Sequence, residues 1–123
     1  MKKYRKAYLA NSNSKFEIAS IEKIADEIVY VCAASMFDDM IGDQYMSHFE
    51  GSIVRNMKDF DPEQDLIVLF GDAMIYAMII YYLALDFCEQ INVARYSVKK
   101  NEYVIRTISF SNFEHFEQET KEK

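Results

Sequence analysis

Chemistry in a protein of 123 residues needs acids, bases, thiols or metal ligands in workable groupings, and here they are sparse. His48 and His115 are its two histidines, and neither has a partner at metal-ligand spacing, so no zinc or other metal site is expected. His48 opens a helical segment next to the acidic loop Asp38-Asp39-Gly42-Asp43, and it is the alternative candidate for a general acid or base. Cys32 and Cys88 lie in apolar runs without basic neighbours, which suits packed, reduced thiols; a disulfide between them stays open, because sequence does not give their separation. There is no GxSxG nucleophile elbow, no GxGxxG and no GxxxxGK[ST]. The run "DFDPEQD" places acids at Asp59, Asp61, Glu63 and Asp65. It lacks the glycine and closing glutamate of a calcium loop, with Gln64 and Phe70 in their places, and reads as a turn that ends a helix. No cofactor is expected.

The elements that position these groups follow from hydrophobic spacing. Ala7–Ala10 is a short apolar run before the polar cluster Asn11-Ser12-Asn13-Ser14, which marks a strand and a loop. Ile21, Ile24 and Ala25 keep helical spacing after Ser20. Ile28–Ser35 is a continuous apolar run with β-branched Ile28, Val29 and Val31, suited to a strand covered on both faces. From Tyr45 to Phe60 the apolar residues Phe49, Ile53, Met57 and Phe60 recur at one helical face, and Pro62 forbids continuation.

The segment "DLIVLFGDAMIYAMIIYYLALDF" has a single charge, Asp72, between Leu66 and Leu85. Gly71-Asp72 splits it into a buried strand, Leu66–Phe70, and a helix over Ala73–Glu89 with Asp72 as its N-cap. The uncharged part of that helix is well short of the roughly 20 residues a bilayer crossing requires. Ile91–Val98 and Glu102–Phe110 flank a polar "KKN" tip and read as a β-hairpin.

The order β-α-β-α-β-α-β-β implies an α/β fold: a three-layer sandwich on a mainly parallel sheet, closed by a C-terminal antiparallel hairpin. Residues 1–110 form one domain, and 111–123 a polar tail that either docks as a final turn or frays. In such folds ligands gather at the carboxyl ends of the strands. Asn11, Asn13, Ser35, Gly71 and Asp72 are therefore the candidate ligand-binding residues. Each also has a plain structural role as a strand terminator or helix cap.

The third helix has no polar stripe before Asp86. A helix apolar all round needs cover all round, and one sheet covers one side. Tyr76, Ile80, Tyr81 and Leu83 are the expected contact residues of a homodimer, the commonest assembly. A host or viral protein is the alternative partner.

Charge narrows the partner classes. The formal charge is −6, yet Lys2, Lys3, Arg5 and Lys6 contribute +4, so the rest of the chain carries −10. That argues against conventional nucleic-acid binding, which needs basic surface, although an acidic DNA mimic would fit the sign. No apolar region follows the basic start, so neither a signal peptide nor a membrane span is expected, and the cytoplasm (of the host, if the protein is viral) is the expected location.

The succession of "DFDPEQDLIVLFGD", a helix and "INVARYSVKKNEYVIRTI" resembles small α/β proteins encoded by phages and other mobile elements, over residues 7–108. The resemblance implies the same architecture and no particular activity. "YLANSNS" is also similar to the opening strand and loop of the viral ring nucleases, which degrade cyclic oligoadenylates. His48 then falls near the place of their catalytic histidine. The strand and helix over Asp65–Glu89 depart from that pattern. Two functions are thus expected to compete: a non-enzymatic accessory protein working through protein contacts, and a nucleotide- or small-ligand-binding domain.

Overall fold

The computed structural model describes residues 3–11, 18–32, 46–69, 73–86 and 88–121. Among these residues, five strands and four helices follow one another as β1 (Tyr4–Asn11), α1 (Ile18–Glu22), β2 (Ala25–Cys32), α2 (Met46–Asn56), β3 (Leu66–Val68), α3 (Ala73–Leu85), β4 (Gln90–Ser97), β5 (Glu102–Ser109) and α4 (Phe110–Lys121). The strands form one sheet in the order β2-β1-β3-β4-β5. Pairing is parallel from β2 through β4 and antiparallel between β4 and β5.

The burial of each strand explains its place. β3 is three consecutive apolar residues, Leu66, Ile67 and Val68, all with no exposure, and it sits between β1 and β4. β2 bears Asp26 and Glu27, both exposed, and it lies at an edge. Both faces of β2 still pack on the core, Val29 and Val31 on one side and Ile28 and Tyr30 on the other; the strand runs Ala25–Cys32, earlier than the expected Ile28–Ser35, of which residues 33–35 lie outside the described residues. The preceding helix is also shorter than its spacing implied. It stops at Glu22, and Ile24 and Ala25 pack as the entry to β2.

Alternation along β1 sends Tyr8 and Ala10 to one face and Ala7 and Leu9 to the other. On the first face α2 contributes Phe49 and Ile53, Met57 follows just past its end, and α3 contributes Ile75, Tyr76, Ile79 and Leu83. Each large side chain buried there supplies roughly 1.5–3 kcal/mol of transfer free energy. The second face gathers Ile21 and Ile24 with Leu66, Val68 and Ala94. The helical face of Phe49, Ile53 and Met57 is as the spacing required; Phe60 follows after the helix has ended and sets its ring edge-on to Tyr8 at 5.4 Å. Asn56 ties the end of α2 to β2 by donating to the Val31 carbonyl at 2.7 Å.

The hairpin closes at a tip where Asn101 takes a left-handed φ of 53°, a conformation that asparagine tolerates better than branched residues. Tyr96 donates its hydroxyl hydrogen to the Asn101 side-chain oxygen, fixing that turn. The final residues form a 12-residue helix rather than a single turn or a frayed end, although no side chain of it is buried. No helix among the described residues is long and apolar enough to cross a membrane.

Candidate functional site

The chain starts in β1, crosses to β2 on one side, and later places β3 on the other. The sheet therefore reverses direction of growth between β1 and β3, the position at which open α/β sheets in general gather ligands beyond the carboxyl ends of the strands. Asn11 ends β1 opposite Cys32 of β2. Asn13, Ser35, Gly71 and Asp72, together with Asp38, Asp39 and Asp43, lie outside the described residues. Of the ligand candidates, only the backbone of Asn11 is placed, at the end of β1.

What the structure does place in this region is Tyr76. Past the last β1–β3 register pair, Tyr8↔Ile67, the two strands are joined by its hydroxyl. That group donates to the Val68 carbonyl of β3 and accepts from the Ala10 amide of β1 at 3.1 Å. The side chain is 5% exposed. Its expected place at an interface is thereby corrected: Tyr76 belongs to the core, and its one polar atom serves two buried backbone groups.

A second clasp joins β1 to the segment before β3 at the opposite end. Asp65 has no exposed surface. Its carboxylate accepts from Arg5 Nε at 2.9 Å and Nη2 at 2.6 Å, and from the Asp61 amide at 2.8 Å. Arg5 also donates to the Asp59 carbonyl at 2.8 Å. The hydrogen bond to Asp65 is the main reason the Arg5 guanidinium is held well above its usual range. "DFDPEQD" is therefore the turn its residues implied, with Asp61 accepting from the amides of Glu63 and, through its carbonyl, Asp65. Sequence reasoning missed the ion pair, because Arg5 looked like one more charge in a basic start. The available signal was an acid placed directly before a fully apolar strand.

His48 stands exposed on α2 with its ring edge-on to Phe49 at 5.7 Å. Among the described residues no three His, Cys, Asp or Glu side chains are grouped to hold a metal ion. Cys32 and Cys88 are both free thiols. Burial pushes Cys32 up to about 11 and raises Cys88 as well, so neither carries the depressed pKa of a nucleophilic cysteine.

The other open feature is apolar. Between α2 and α3 lies a groove of about 570 Å³, walled by Ile53 and Val54 on one side and by Ala77, Met78, Tyr81 and Leu85 on the other. Its α3 wall continues into that helix's outward surface: Ala73, Met74, Ala77, Tyr81, Ala84 and Leu85 are all exposed. Tyr81 and Leu85 are 66% and 61% exposed. Ile80 is half-buried, whereas Leu83 is turned into the chain's own core, which corrects its expected place at an interface.

The fold defines this chain as an α/β protein with a five-stranded, mostly parallel sheet and an antiparallel C-terminal pair. Comparison with known protein families, with curated proteins and with solved structures finds no match to it.

Proposed function

We propose that this chain is a non-enzymatic accessory protein of a phage or mobile element, a three-layer domain that works in the cytoplasm through protein contacts and assembles as a homodimer. The observation that carries this reading is the outward surface of α3. Six of its residues, Ala73, Met74, Ala77, Tyr81, Ala84 and Leu85, face water without one charged group among them. An apolar strip of this kind on a helix otherwise packed into a core marks a contact surface. Its alanines let a second helix approach closely, and Tyr81 and Met74 are residue types enriched at interface centres. The mobile-element origin rests on the resemblance of residues 7–108 to small α/β proteins of that source.

Light scattering coupled to size exclusion tests the assembly. A dimer at micromolar concentration that becomes a monomer in Tyr81→Glu supports it, and a monomeric parent protein removes it.

A second reading is favoured by the topology. The strand order turns outward in both directions from β1 and β3, and in folds of that order a nucleotide or another small ligand would sit beyond their carboxyl ends, in the manner of the viral ring nucleases with His48 as acid or base. This reading is an analogy at the level of fold. A thermal-shift screen of nucleotides and cyclic oligoadenylates tests it, since a ligand that binds only the folded state raises the melting temperature by mass action. No shift with any of them would count against it.

A further inference from the structure

Two apolar surfaces of this chain are uncovered at once. One is the α2–α3 groove. The other is α4, which leaves β5 without a loop, its first amide bound to the Glu89 carbonyl at 2.8 Å. Phe110 packs against the α3 side of the core. Beyond it, Phe113 and Phe116, one turn apart, are 67% and 62% exposed. A helix of about 12 residues is marginal in water on its own propensity, and its stability comes from packing an apolar face. Within one copy that face does not enter the groove, because both remain open together.

Charge points to the same fit. In an acidic chain, α2 and the turn after it present Arg55 and Lys58 to solvent on either side of Asn56 and just past Val54. On α4, Glu114 and Glu117 each directly follow one of the two phenylalanines and both are exposed; Glu117 is paired with Lys121 of the same helix at 2.8 Å, which leaves Glu114 as the principal acid for the contact. A helix that sets Phe113 and Phe116 into the groove carries these carboxylates towards Arg55 and Lys58. Glu50 is the acid in the groove wall, so the basic side of α2 is the favoured one. Covering the exposed parts of Phe113, Phe116, Tyr81, Leu85 and Val54 removes roughly 500 Å² per subunit from water, about 1,000 Å² for the reciprocal pair, which is the size of a modest, reversible interface.

We propose that α4 of one copy seats Phe113 and Phe116 in the α2–α3 groove of a second copy, and that the exchange is reciprocal around a two-fold axis. This rests on the homodimer reading and names the segment that makes the contact.

The test uses the full chain and three variants in sedimentation equilibrium. Phe113→Ser/Phe116→Ser and Val54→Glu should each weaken dimerisation at least tenfold. Their melting temperatures should stay near that of the monomeric state, because all three positions are already exposed. Mixing the two variants should recover part of the association, since the first retains an intact groove and the second an intact α4. A dimer that survives Phe113→Ser/Phe116→Ser but dissociates in Tyr81→Glu overturns the α4 exchange and leaves an α3-mediated dimer standing. A parent chain that is monomeric throughout overturns both. Variants that lose association without any recovery on mixing also overturn the reciprocal exchange.

Discussion

Arg5 and Asp65, 60 positions apart, meet through two hydrogen bonds of 2.9 and 2.6 Å, with the carboxylate wholly buried. Tyr76 makes the complementary link at the other end of the same strands. β1 and β3 share a short register, Ala7↔Leu66 and Tyr8↔Ile67, and these two links hold the pair beyond it.

The ion pair should therefore matter to stability. A buried carboxylate that loses its cation stays desolvated without compensation, and an arginine that loses its carboxylate leaves the Asp59–Asp65 turn unanchored. Asp65→Asn should lower the unfolding free energy by about 2–4 kcal/mol in urea titration. Arg5→Leu should also destabilise. The double variant should lose less than the sum of the two, because both single changes remove the same contact.

Tyr76→Phe isolates the other clasp. It keeps the ring in the core and removes the oxygen that serves Ala10 and Val68. The expected cost is about 1–3 kcal/mol. Hydrogen exchange should quicken at the Ala10 amide more than at Leu9, which remains in the sheet.

Alkaline pH should weaken the fold in two stages. Burial pushes the Cys32 thiol from 9.0 to about 11 and the Tyr8 phenol from 10.0 to about 12. In each window the unfolded chain has released its proton while the folded chain still holds it, so stability falls as pH rises. It is fully present below about pH 9 and declines between pH 9 and 12 as these groups are drawn towards ionisation. Thermal melts across this range should show Tyr8→Phe losing less stability above pH 10 than the parent chain.

At the hairpin tip, Asn101→Val should destabilise by about 1–2 kcal/mol, because a β-branched side chain fits poorly at a left-handed φ. Asn101→Gly relieves the backbone but loses the Tyr96 contact, and it should fall between the two. Chemical denaturation of the three proteins ranks them.

Local pattern alone set most of the elements. The period of Phe49, Ile53 and Met57 fixed α2 and its buried face, the apolar run from Leu66 fixed the start of β3, and the polar tip after Val98 fixed the hairpin. These are choices between neighbouring residues, where spacing and turn chemistry suffice. Sequence spacing did not reveal which strand lay at an edge. β2 looked fully apolar from Ile28 onward, but Asp26 and Glu27 belong to it and require a solvated side. It also misassigned Tyr76 and Leu83, since a helix apolar on every side gives no sign of which side meets the sheet. Tertiary structure decided that by rotating α3 so that Ile75, Tyr76, Ile79 and Leu83 face inward. It also brought Arg5 to Asp65. Both outcomes depend on residues distant in sequence converging across a sheet, and no local periodicity encodes that distance.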